Sequence, residues 1–76
     1  MIAGMDLNLL RIFDALMAER SVTRAATLLH MTQPAVSNAR NRLRHAIDDP
    51  LSVKAQGGVS PTQRAQRMWP VIRDAL

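Results

Sequence analysis

The chain has 76 residues, 47% of them hydrophobic, with Phe13 and Trp69 as its aromatic residues and no cysteine. A chain of this length forms one small domain with a marginal core, too small for a catalytic cleft, and without cysteine it makes no disulfide or thiolate metal site. Ten Lys and Arg against six Asp and Glu give a net charge of +4 and a pI near 11.5, which favours a polyanionic partner.

The distribution of charge says more than its total. No acidic residue lies between Glu19 and Asp48, whereas Arg20, Arg24, Arg40, Arg42 and Arg44 all fall in that stretch. His30 and His45 are too few and too far apart to form a metal cluster, so no metal or cofactor is expected. No apolar run approaches the ~20 residues of a membrane span. The segment Met1 to Asp6 also lacks the basic start of a signal peptide, so the domain is expected to stay in the cytoplasm where it is made.

The composition predicts a mainly α fold. Apolar residues at 9, 10, 12, 13, 16 and 17 form a helical stripe over about Leu7 to Glu19, with Asp6 as N-cap and Leu9, Phe13 and Leu16 facing a core. Ser21 caps a second helix from Val22 to Leu29, whose Ala25 and Ala26 let another helix approach closely. After a break at His30-Met31, Thr32 caps a third helix from about Gln33 to Ala46, with Pro34 in the first turn, where its missing N–H costs nothing. Its inward stripe is Val36, Ala39, Leu43 and Ile47, leaving Gln33, Ser37, Asn38, Asn41, Arg42 and Arg44 mostly outside.

Asp48-Asp49-Pro50 ends that helix. Leu51, Val53 and Val59 flank KAQGG in a short two-stranded ribbon turning at Gly57-Gly58, which must lean on the helices because two strands alone are barely stable. A last helix follows Ser60-Pro61-Thr62, with Ala65, Met68, Trp69, Ile72 and Leu76 at helical spacing and a kink or restart expected at Pro70. That stripe reads as uncovered, so the chain is expected to be a fragment, or its last helix to meet a partner. Residues 1–60 read as one domain and 61–76 as a separate segment carrying the last helix.

Two short helices joined by a tight turn, the first with paired alanines and the second polar and basic outside, make a helix-turn-helix. The first turn of the second helix is the part that enters the major groove. Gln33, Ser37 and Asn38 there offer groups that donate to and accept from base edges, Gln and Asn amides pair with adenine, and Pro34 offers an apolar contact for a thymine methyl. Acids are missing because each would face phosphate repulsion.

The stretch LNLLRIFDALMAERSVTRAATLLHMTQPAVSNARNRLR resembles the N-terminal domain of LysR-type transcriptional regulators, and SPTQRA leans toward the NodD-like branch. The resemblance runs from about Asp6 to Leu76. It implies a winged helix-turn-helix with a three-helix core, a recognition helix at about 33–46 in the major groove and a wing at about 51–60 on the backbone or minor groove. It also implies a C-terminal linker helix dimerising with its counterpart and a separate effector domain for a small-molecule inducer. Carried over by residue, base reading falls on Gln33, Pro34, Ser37 and Asn38. Backbone contacts fall on Arg24, Thr32, Asn41, Arg42, Lys54 and Thr62, and the dimer seam on Met68, Trp69, Ile72 and Leu76. The expected partner is double-stranded DNA carrying an AT-rich imperfect palindrome, bound by a homodimer. Many family members have Arg where this chain has Asn38, so its base preference should differ there.

Three positions depart from the family pattern. Arg40 stands where the inward stripe continues with Leu or Ile, and DPLSVK replaces D-P-L-F-V-R, so Ser52 stands for a large aromatic and Lys54 for arginine. A buried unpaired guanidinium is costly, so Arg40 is expected to reach solvent or pair with Asp48 or Asp49. Otherwise positions 40 and 52 lie on an apolar surface covered in the intact protein, with polar residues there favouring solubility.

Each assignment has a plainer counterpart. Arg42 and Arg44 can be a solvated helix face, His30 a turn residue, His45 a cation at a helix C-terminus, Met17, Met31 and Met68 packing filler, and Lys54 a guard on an edge strand. Nothing in the sequence groups residues for enzyme chemistry. The rival from another class is a helical protein–protein module acting through the 65–76 stripe.

Overall fold

The computed structural model describes residues 6–55 and 58–76, and their side chains except at 54, 55 and 58. Helix α1 spans Leu7–Glu19, α2 Val22–Leu29 and α3 Gln33–Ile47; strands β1 Ser52–Ala55 and β2 Gly58–Pro61 follow, then α4 Gln63–Ala75. This is the mainly helical winged helix-turn-helix that the sequence predicts. Every helix begins at a capping side chain: Asp6 accepts from the Leu9 N–H at 2.8 Å, and Ser21, Thr32 and Thr62 accept from Arg24, Ala35 and Ala65 at 3.2 Å.

Three helix ends use left-handed residues other than glycine: Arg20, His30 and Asp48, with φ of 53°, 56° and 52°. The turn between α2 and α3 closes on His30, whose N–H donates to Thr27 O at 3.2 Å while the Met31 N–H donates to Ala26 O at 2.9 Å. This double back-bond is the Schellman arrangement, and histidine tolerates the left-handed region better than most residues.

Helix α1 packs against all three other helices. It accordingly buries Leu9, Leu10, Ile12, Phe13, Ala15, Leu16 and Met17, with Phe13 fully enclosed. The α2 alanines and the α3 stripe of Val36, Ala39, Leu43 and Ile47 are buried as expected. Helix α4 runs unbroken through Pro70 to Ala75 rather than restarting there. Ala65 and Ile72 sink fully into the common core, and this packing holds the helix across the one backbone bond that proline removes. The stripe read as uncovered is thus largely covered by α1. No helix of the described residues is long and apolar enough to cross a membrane.

The wing is an antiparallel pair with Ser52 opposite Pro61 and Ala55 opposite Gly58. The turn expected at Gly57-Gly58 lies partly outside the described residues, Gly58 being the first residue of β2. Its attachment to α3 is unusual. The Ser52 N–H donates to Pro50 O at 2.8 Å across Leu51, whose φ is 68°, a classic γ-turn of the rare and strained kind. Leu51 is held in it from every side. Its side chain is buried, its N–H donates to Asp49 Oδ2 at 2.8 Å, and its carbonyl accepts from the Thr62 N–H at 2.9 Å. The same Asp49 oxygen accepts from Thr62 Oγ1 at 2.6 Å, joining the end of α3 to the start of α4.

Arg40 keeps part of its surface in solvent and does not pair with Asp48 or Asp49. It is half-buried and donates from Nη2 to Ser52 Oγ at 2.9 Å, with Ser52 itself buried. Burial, and after it the charge of Arg44, pulls the Arg40 guanidinium below its ordinary pKa. The two residues that read as departures from the family pattern are therefore partners in one hydrogen-bonded polar contact inside the domain. Positions 40 and 52 are not an outer surface awaiting a cover.

Replacing both members gives an apolar contact, while replacing one orphans the other. Arg40→Leu with Ser52→Phe should melt above either single variant, with a coupling of about 1 kcal/mol or more in a double-mutant cycle; additive melting shifts would contradict the pairing. The Thr62 hydrogen bond chiefly, and the Leu51 N–H and Arg64 with it, depresses the Asp49 pKa against an opposing desolvation effect. The stability this adds is full above the unfolded carboxylate pKa of about 3.9 and is lost as pH falls through the lower folded value. Asp49→Ala should thus cost about 1–2 kcal/mol at pH 7. Chemical denaturation should show the gap to wild type shrinking as the pH is taken below 4, and a pH-independent gap would contradict the assignment.

Candidate nucleic-acid interface

The helical repeat of α3 divides its residues between two faces. Val36, Ala39, Leu43 and Ile47 turn inward, which leaves Gln33, Pro34, Ser37, Asn38, Asn41 and Arg42 outward, and all six are exposed. Thr32, just before them, is exposed as well. Among the described residues, none of the side chains of Gln33, Ser37, Asn38, Asn41 and Arg42 takes part in a hydrogen bond or ion pair within the chain. Two amides, a third amide-bearing side chain, a hydroxyl and a guanidinium thus stand unengaged on one convex face. No acidic residue is found anywhere on α3, so nothing on that helix neutralises the guanidinium or repels an anion.

The flank of α3 nearest the wing behaves differently. Arg40 and Arg44, one turn apart, both face the wing: Arg40 holds Ser52, and Arg44 Nε donates to Pro50 O at 2.9 Å. Arg44, expected mostly on the outer side, is half-buried and serves to anchor the wing. Sequence spacing could have flagged this, since Arg40 and Arg44 lie four residues apart beside the inward stripe. Arg24, on α2, is exposed, and its Nη2 donates to Glu19 O at 3.3 Å, which tethers it beside the end of α1 while leaving other donors free.

One of the expected backbone contacts changes meaning. Thr32 caps α3 by accepting, so its hydroxyl proton stays available for a phosphate. Thr62 is half-buried, accepts from Ala65 and spends its hydroxyl proton on Asp49, so none remains for DNA. It is a joint of the fold. The Lys54 side chain lies outside the described residues.

The residues expected at a dimer seam also separate. Ile72 is fully buried in the chain's own core, Met68 and Trp69 pack against that core half-buried, and Leu76 alone of the four is exposed. Helical spacing marked the apolar face of α4 correctly, but α1 takes that face. Trp69 Nε1 donates to Asp14 Oδ1 at 2.7 Å, and Arg73 Nε lies 3.6 Å from the same oxygen with its guanidinium 5.9 Å from the Trp69 ring centre. Nothing in the sequence singles out Asp14, and only the fold reveals it as the anchor of α4. The face of α4 left outward carries Arg67, Pro70, Val71 and Asp74, all exposed.

Comparisons with known proteins agree with this architecture. Residues 7–66 match the family described as bacterial regulatory helix-turn-helix protein, lysR family. The chain is 51% identical over 71 residues to the HTH-type transcriptional regulator LeuO of Escherichia coli strain K12, covering 93% of this chain and 23% of that protein. It is 47% identical over 73 residues to Nodulation protein D of Rhizobium leguminosarum bv. trifolii, covering 96% of this chain and 23% of that one. The chain therefore spans about a quarter of the length of these relatives. Among solved structures, the transcriptional regulator PA0477 of Pseudomonas aeruginosa superposes with a TM-score of 0.90 at 39% identity, over 97% of this chain and 25% of that one. The BenM DNA-binding domain in complex with catB site 1 DNA superposes with a TM-score of 0.86 at 27% identity, over 93% of this chain and 80% of that one. With a family match over most of its length and close relatives on both sides of it, the chain belongs to the lysR family of bacterial regulatory helix-turn-helix proteins and carries that family's DNA-binding winged helix-turn-helix.

Proposed function

We propose that this chain is the sequence-reading domain of a bacterial transcriptional regulator, binding double-stranded DNA as a symmetric dimer on an AT-rich imperfect palindrome. The observation that carries the reading is the exposed first half of α3, where Gln33, Ser37, Asn38 and Asn41 keep their hydrogen-bonding groups unengaged and no acid stands among them. Buried polar groups find partners within a fold; exposed ones in such density, on a convex helix the width of a major groove, are suited to base edges. Gln33, Pro34, Ser37 and Asn38 read bases. Arg24, Thr32, Asn41, Arg42 and Lys54 hold phosphates and set the register. The solved complex of the BenM DNA-binding domain with DNA supports this docking. The chemistry is recognition, and no step of it is enzymatic. A small-molecule inducer belongs to the remainder of the parent protein, whose setting is the cytoplasm and nucleoid.

The dimer forms through the outward face of α4. Arg67 and Asp74 lie seven residues apart on that face, with Pro70 and Val71 midway between them. In an antiparallel pair whose two-fold axis passes between 70 and 71, Arg67 meets Asp74 of the partner subunit and the reverse, around an apolar centre. The rival reading, a protein–protein module built on the 65–76 stripe, is disfavoured by the full burial of Ala65 and Ile72 in this chain.

Fluorescence anisotropy with cognate and scrambled duplexes separates the roles. Gln33→Ala or Ser37→Ala should erode the preference for cognate DNA by about 1–3 kcal/mol, whereas Arg42→Ala should weaken both duplexes alike and lower the log-log salt slope by about one unit. Equal loss on both duplexes for Gln33→Ala would contradict base reading. Asp74→Arg should shift sedimentation equilibrium toward monomer, and adding Arg67→Asp should restore the dimer; a double variant as monomeric as the single would remove the antiparallel seam.

A further inference from the structure

A cavity of about 50 Å³ opens beneath the wing, walled by Leu16 and Met17 of α1, Val22 of α2, Leu51, and Val59 of β2. Ser52 lines it beside Pro61, and its walls are mainly apolar. Among the described residues its charged lining is Arg20 and Arg40, with no acidic residue. Among the described residues Arg40 has no carboxylate partner, and its one hydrogen bond goes to the neutral Ser52 hydroxyl. A half-buried guanidinium with spare donors and no counter-charge thus stands beside a dry hollow.

We propose that this cavity is a binding site for a short aliphatic monocarboxylate, its carboxylate paired with Arg40 and its alkyl chain laid between Met17, Val22 and Val59. The size sets the class. A hollow of about 50 Å³ takes only a small group, of the order of a short alkyl chain. The charge sets the head group: a carboxylate takes two parallel bonds from a guanidinium, supplying the counter-ion that Arg40 lacks. The walls come from α1, α2, α3 and the wing, so an occupant ties the wing to α3. This site goes beyond the DNA reading and stands or falls without it.

Titration of the ¹⁵N-labelled chain with sodium butyrate, with ionic strength matched by chloride, tests it by amide chemical shifts. The expected result is saturable shifts in the millimolar range centred on Met17, Val22, Ser52 and Val59, with 1-butanol binding at least tenfold more weakly. Arg40→Leu should bring butyrate down to the level of butanol, and Ser52→Phe, which fills the hollow and keeps the charge, should abolish saturation by either. Butyrate shifts that do not saturate, that fall elsewhere, or that butanol reproduces at equal concentration would overturn the proposal. The comparison of the two probes on the unaltered chain decides it even where a variant fails to fold.

Discussion

The carboxylate of Asp49 is the joint on which the working shape of this domain depends. One oxygen accepts from the Leu51 N–H and from the Thr62 hydroxyl, so three segments meet at it: the end of α3, the entry to the wing and the start of α4. The strained γ-turn at Leu51 persists because this joint, the Thr62 N–H and the burial of the leucine side chain all constrain it together. With the wing hung from that turn, Arg40 and Arg44 need only one hydrogen bond each to bring it against α3.

A division of labour among the helices follows. Helix α1 supplies most of the core and packs against every other helix, so α3 can give half its circumference to solvent without losing its place. The polar residues of α3 are therefore free for a ligand rather than for the fold, and its arginines sort by position. Those flanking the inward stripe, Arg40 and Arg44, hold the wing, and Arg42 stands exposed on the outer face. Asp14 does for α4 what Asp49 does for the wing, fixing Trp69 and placing Arg73 beside it, so that the outward face of α4 has a defined direction.

Local signals carried much of this in the sequence. Asp6, Ser21 and Thr32 announced the helix starts because a capping residue acts on amides three residues away, and the inward stripe of α3 was readable because its period is that of the helix. What stayed hidden was long-range. The Asp49–Thr62 and Arg40–Ser52 contacts join residues 13 and 12 apart, and Trp69–Asp14 spans 55. No spacing rule links such pairs. The apolar stripe of α4 was visible, but whether Ile72 meets α1 or a second chain depends on how the hairpin swings α4 back, which the turn at Leu51 decides. The sequence allows Arg40 and Ser52 to share a surface, but only the folded contact shows them to be hydrogen-bond partners.

The central claim is that the unengaged face of α3 reads base sequence, and anisotropy titration of the unaltered chain on an AT-rich palindromic duplex and on a scrambled duplex, each at two salt concentrations, tests it most directly. The account predicts tighter binding to the palindrome at both salts, and affinity for either duplex falling with a log-log slope of about −0.9 per phosphate neutralised. Salt-steep binding that treats the two duplexes alike, across a panel of AT-rich palindromes, would leave a basic surface that holds DNA without reading it and would contradict the claim.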